Sequence, residues 1–172
     1  MEGTVFTPSL EGMKHVKSVD SVMLAKPFLD VCKLILPVLD KFGAAMSIVK
    51  SDIGGNIAFS GNLFIHLRIC KRLESKYVSD PSKFEHLHSM VQVEVESKTA
   101  KGSSSCTNGL LWLTRYSVAM KLAPNRKKFM EVICGSGDIN ADIEKFCKTF
   151  APLLAENHKF LASVGVDDLK AS

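Results

Sequence analysis

SDIGGNIAFSGNLFIHLRICKRLESKY, residues 51–77, changes character at Ala58. On a helix, Asp52 and Asn56 stand one turn apart on one face, so both side chains address the same small volume. A carboxylate only accepts hydrogen bonds, whereas an amide both donates and accepts, a pairing that suits a ligand rich in hydroxyls or amides. On spacing alone the pair reads more readily as a surface pair at a helix end. Gly54 and Gly55 each cost about 1 kcal/mol in a helix interior, which points to close approach of another helix or a ligand. A phosphate loop is a poor reading, because the chain has no GxxxxGK pattern. Beyond Ala58, SGN at 60–62 is a turn signal, and a shorter helix is expected over Leu63–Tyr77.

Upstream, apolar residues fall at Leu24, Phe28, Val31, Ile35, Val38, Phe42, Met46, Val49 and Ile53. Steps of three and four predict one long amphipathic helix from Lys26 to Phe59, bent near Pro37. Downstream, Ser79 or Asp80 as a cap, Pro81 in the first turn and apolar Phe84, Leu87, Val91 and Val95 predict a further helix. The alternation in MVQVEVES also fits a strand. SSSCTNG (103–109) caps or begins a helix through LLWLTRYSVAMKLA to Pro124. NRKKFMEVI and DINADIEKFCKTFAPLLAENHKFLASV supply at least two more, separated by the glycines of CGSGD. The expectation is an all-α single domain over 1–172.

The composition agrees: 172 residues with 46% hydrophobic and 23% charged residues suffice for one sizeable core. The amino terminus, with Glu2 and Pro8, does not read as a secretory signal, and the apolar runs fall far short of the roughly 20 residues of a membrane span. A soluble, cytoplasmic protein is expected. The five cysteines are odd in number and lack a CxxC pair, so they read as reduced, mostly buried thiols. The net charge of +4 draws on ICKRLESK and NRKKF, which read as solvated helix ends and would also favour an anionic membrane surface.

Candidate chemistry is sparse. His86 and His88 diverge on a helix, so metal ligation is not expected. Cys106 has no identifiable His and acid partner for nucleophilic work. Trp112, the only tryptophan, reads as core filler among leucines or, at a cleft, as a stacking face for a sugar ring. Nothing here demands an enzyme, a cofactor, a metal or a nucleic-acid partner, and a monomer is expected.

Taken in order, KPFLDVCKLILPVLDKFGAAMSIVKSDIGGNI (26–57), RLESKYVSDPSKF (72–84), VQVEVESKTAKGSSSCTNGLLWLTR (91–115), MKLAPNRKKFMEV (120–132) and NHKFLASVG (157–165) resemble the glycolipid transfer protein family, closely its plant cytosolic members. The resemblance implies a two-layer helical sandwich that takes the hydrocarbon chains of a sphingolipid between its layers. It implies that Asp52 and Asn56 bind the sugar hydroxyls and the ceramide amide, that Trp112 is the platform for the first sugar, and that Arg72 is the basic residue of the headgroup site. Members that carry ceramide-1-phosphate resemble this chain but have cations at the positions of Asn108 and Trp112. The neutral residues here favour a sugar headgroup, with ceramide-1-phosphate as the alternative.

The chain departs from the family pattern twice. The pattern NIxRLE sets a basic residue three after the asparagine, whereas Asn56 and Arg72 are sixteen apart. In a continuous helix the extra residues, about thirteen, would rotate the downstream part by roughly 220° beyond whole turns, so Arg72 is expected to lose reach of the sugar and Phe59 to occupy its place. After Arg115 a segment on the order of forty residues, ordinarily two helices and their loops, is expected to be missing, and with it a KxxHGW histidine that contacts the ceramide amide. His158 matches another part of the pattern. The fold is therefore expected to be incomplete in this form, with a transfer-defective lipid binder as a further reading.

Overall fold

The computed structural model describes residues 3–35, 59–120 and 138–168, and these hold six helices. The helices are α1 (Thr7–Met13), α2 (Ala25–Leu34), α3 (Phe59–Ser79), α4 (Leu87–Glu96), α5 (Cys106–Met120) and α6 (Ile139–Ser163).

The short α1 is not foretold by the sequence pattern, because seven residues carry too little periodicity. It has Pro8 in its first turn, where a missing N–H costs nothing. Thr7 Oγ1 accepts the Thr4 N–H at 2.9 Å, and the Thr4 hydroxyl donates to Asp142 of α6 at 2.6 Å. The Phe6 ring lies 5.1 Å from that of Phe146, so the segment is sealed against α6.

In α2 the predicted positions Phe28 and Val31 are buried. The expected continuation past Pro37, with Asp52, Asn56 and the glycine pair, lies outside the described residues. The turn expected at SGN is absent, for α3 runs through it from Phe59 to Ser79. A single glycine costs about 1 kcal/mol in a helix, less than is gained by burying Ile69, Cys70 and Leu73 further along.

The helix expected from Asp80 starts later, at Leu87. Asp80 Oδ1 accepts the Lys83 N–H at 3.1 Å and closes a turn instead. His86 is then extended (φ −90°, ψ 133°) because its neighbours pair with the strand-like entry to α2: Ala25 N–H donates to Glu85 C=O at 2.8 Å, and Leu87 N–H to Met23 C=O at 2.9 Å. From Leu87 to Glu96 the segment is helical, so the strand reading of its alternation fails.

In α6, Phe146, Phe150, Leu153, Leu154 and Leu161 are buried at helical spacing, and Pro152 is accommodated inside the helix. Gly165 (φ 70°) ends it: Val166 N–H donates to Leu161 C=O and Gly165 N–H to Ala162 C=O, both at 3.0 Å, the pairing of a Schellman cap. The helix of NRKKFMEVI lies outside the described residues.

Packing closes a ring, α1 on α2, α2 on α3, α3 on α5, α5 on α6 and α6 on α1, with α4 against both α2 and α5. Phe28, Leu73, Leu87, Met90, Leu110, Leu111 and Leu161 are fully buried within it. One polar contact joins α4 to α6: the His88 ring stacks on Phe160 at 4.0 Å, and its Nε2 donates to Asn157 Oδ1 at 2.8 Å.

Burial holds the His88 pKa below its ordinary 6.5, so the unfolded chain takes up that proton first. Stability present at pH 7 is therefore lost as pH falls through 6.5. Thermal unfolding midpoints measured at pH 7 and pH 5 should differ less in His88→Gln than in the unsubstituted protein.

Candidate functional site

The site is organised by the start of α5, whose first N–H groups have no partners inside the helix. Glu94 of α4 fills that need. Its Oε1 accepts the Cys106 N–H at 2.8 Å, and its Oε2 accepts the Thr107 N–H at 2.8 Å and the Thr107 hydroxyl at 2.6 Å. Ser105 Oγ accepts the Asn108 N–H at 2.9 Å, and Gly109 N–H closes on Ser105 C=O at 3.2 Å. Every amide from Cys106 to Gly109 is thereby paired, and the negative charge of Glu94 sits at the positive end of the helix dipole.

Arg72 holds the same turn from α3. Its Nη1 donates to the carbonyls of Ser103 at 3.2 Å and Ser105 at 3.0 Å. A side chain at Gly109 would stand 3.1 Å from Ile69 and 3.8 Å from Arg72 Nη1, so α3 and α5 approach closely where glycine allows it. As part of the continuous α3, Arg72 lies against the first turn of α5, while Asp52 and Asn56, against which its displacement was expected, lie outside the described residues. The side chain of Phe59 lies outside the described side chains.

Asn108 and Trp112 are one turn apart on α5. Asn108 is buried, and its Oδ1 has no hydrogen-bond partner among the described residues. A buried acceptor left unpaired costs about 1–3 kcal/mol, so the position suits a ligand hydroxyl or amide N–H. Trp112 is partly buried against the core. The structure thus gathers Arg72, Asn108 and Trp112 around the first two turns of α5, whereas Asp52 and Asn56 lie outside the described residues. His158 is exposed.

Cys106 makes a poor nucleophile. Burial, followed by the charge of Glu94, pushes its thiol up to about 12, which leaves almost no thiolate at neutral pH. No group of three or more His, Cys, Asp or Glu suited to a metal occurs among the described residues, and none of their helices is long and apolar enough to cross a membrane.

Sequence reasoning misses Glu94, although a signal is present. It falls on the apolar stripe Leu87, Met90 and Val91 of α4, where an unexplained acid implies a buried partner.

The arrangement of helices has solved counterparts. A structure of FAPP2, described as selecting simple glycosphingolipids using the GLTP-fold, superposes with a TM-score of 0.70 at 20% identity, covering 99% of this chain and 100% of that one. A ceramide-1-phosphate complex of a mutant of the Arabidopsis protein accelerated-cell-death 11 gives 0.67 at 14% identity, covering 97% and 100%. The fold is accordingly the all-helical GLTP fold. Residues 23–117 match the family described as glycolipid transfer protein (GLTP). Glycolipid transfer protein 1 of Arabidopsis thaliana is 54% identical over 215 aligned positions, covering 100% of both chains. The chain belongs to the glycolipid transfer protein family. Because that alignment exceeds the 172 residues present, about forty positions of the relative have no counterpart here, the size of gap expected from the motifs.

Glu94→Gln keeps the shape but removes the charge that three donors share. It should lower stability by about 1–3 kcal/mol in urea unfolding and speed hydrogen exchange at the Cys106 and Thr107 amides before the rest of α5.

Proposed function

We propose that this chain binds sphingolipids and moves them between membranes without chemical conversion, with a neutral glycosphingolipid such as glucosylceramide or galactosylceramide as its ligand. The observation that carries this reading is the end-to-end likeness, at 54% identity, to a protein named Glycolipid transfer protein 1. The site geometry supports it. Asn108 offers a buried acceptor without a partner among the described residues, Trp112 stands one turn on as a ring-sized apolar face, and Arg72 closes the far side of the turn. Asp52 and Asn56 complete the polar grip in this reading. The absence of a cation at positions 108 and 112 favours a sugar over the phosphate of ceramide-1-phosphate.

The energetics divide the labour. A chain of about 16 methylenes gains on the order of 10 kcal/mol on leaving water at roughly 0.8 kcal/mol each, while a headgroup hydrogen bond contributes about 1 kcal/mol net. The apolar interior retains the lipid and the polar site selects it. Monomeric action in the cytosol, with transient contact at membrane surfaces, belongs to the same reading.

A second reading is favoured by the gap of about forty positions against the relative: a chain that holds lipid but transfers it poorly, since lost helices would open one wall of the apolar interior.

Purified protein should move fluorescent glucosylceramide between vesicles, and Trp112→Ala should reduce that rate at least tenfold. A folded protein that neither binds nor moves glucosylceramide or galactosylceramide would refute the proposal. Binding without movement, with movement regained when the missing segment is supplied from the relative, would select the second reading.

A further inference from the structure

The start of α5 has the makings of an anion site. Its first N–H groups lack partners inside the helix, and the helix dipole puts positive charge there. Arg72 of α3 adds a guanidinium beside the same turn, donating to the Ser103 and Ser105 carbonyls at 3.2 and 3.0 Å. What cancels these features is Glu94 of α4, 8% exposed. Its carboxylate takes the Cys106 and Thr107 N–H groups, both at 2.8 Å, and the Thr107 hydroxyl at 2.6 Å. The chain thus supplies an anion of its own to the terminus.

Asn108, the residue after Thr107, points the same way independently. It is 4% exposed, and its atom without a partner among the described residues is the carbonyl oxygen Oδ1. An acceptor complements a hydroxyl or an N–H, whereas an ionised phosphate offers mainly acceptors of its own. Because Thr107 and Asn108 are adjacent, the Glu94 carboxylate and this oxygen are at most about 12 Å apart along the connecting bonds.

We propose, resting on the proposed function's placement of the headgroup at the first turns of α5, that Glu94 is the positioning residue that restricts this site to neutral headgroups. With its charge in place, the helix terminus and Arg72 are neutralised from within, and a sphingolipid phosphate gains little attraction there. Without that charge, the dipole and the guanidinium stand unopposed and draw an anionic headgroup in. The other charges nearby weigh less: Glu96, Lys98 and Lys101 are exposed, where water and salt screen them, and Lys76 is engaged over the Phe84 ring at 5.0 Å. Removing one unit charge about 12 Å from another, at an effective dielectric constant of about 20, changes an equilibrium roughly tenfold.

The experiment measures how well unlabelled glucosylceramide and ceramide-1-phosphate, each in phosphatidylcholine vesicles, displace fluorescent glucosylceramide from the full chain. The unsubstituted protein should prefer glucosylceramide, and Glu94→Gln should narrow that preference about tenfold. Glu94→Asp, which shortens the side chain but keeps the charge, should preserve it, and Arg72→Gln, which leaves the carboxylate unopposed, should widen it. A cap with a structural role alone would weaken both lipids together and leave their ratio fixed. A ratio unchanged in Glu94→Gln, one narrowed equally in Glu94→Asp, or a preference for ceramide-1-phosphate in the unsubstituted protein would overturn the proposal. If Glu94→Gln does not fold, Arg72→Gln decides, and a preference that narrows or stays the same there overturns it. Unsubstituted protein that binds neither lipid refutes the headgroup reading and this inference with it, whereas glucosylceramide binding with a fixed ratio refutes this inference alone.

Discussion

A buried carboxylate at the start of one helix sets the geometry of this protein. Glu94 reaches from α4 to α5 and accepts from two backbone amides and one hydroxyl, all within 2.8 Å. A buried charge is costly unless its lone pairs are used, and here they are used by groups that would themselves be orphans. The bond therefore fixes where α5 begins. Since α5 packs on α3, α4 and α6, its starting residue decides the direction in which Asn108 and Trp112 project. Arg72 grips the opposite side of the same turn through the Ser103 and Ser105 carbonyls. An acid satisfies the amides and a base the carbonyls, so the turn carrying the candidate site is held from both sides.

The segment that sets this chain apart from its family motif has a structural role as well. Rather than looping out, it extends α3 to Phe59 and contributes His66, Ile69 and Cys70 to the interior. Within that continuous helix Arg72 meets α5 at Gly109. The expected rotation is measured against Asp52 and Asn56, which lie outside the described residues. What matters at the site is only the register of α3 against α5, and the buried Ile69 and Leu73 set that locally.

Much of this is legible in the sequence. The three-and-four spacing from Leu24 foretells α2, and the spacing from Phe146 to Leu161 foretells α6, because amphipathic periodicity reports burial directly. LLWLTR marks α5 together with Asn108 and Trp112. The misses have local causes. The turn signal in SGN yields to burial further along α3. Asp80 and Pro81, which look like a helix start, close a turn because the backbone around His86 is taken up by pairing with the entry to α2. Glu94 is missed because its place on the apolar stripe of α4 signals a buried acid but not its partners, which are backbone amides twelve and thirteen residues away.

The central claim is that the first turns of α5 form the headgroup site, and the single tryptophan of the chain reports on it. The most direct measurement is Trp112 fluorescence during titration with vesicles that contain glucosylceramide, set beside vesicles of phosphatidylcholine alone. A saturable change in emission with the glycolipid, absent with plain vesicles and weakened in Glu94→Gln, is the predicted result. Emission that responds equally to both vesicles, or to neither while the protein stays folded, would contradict the account.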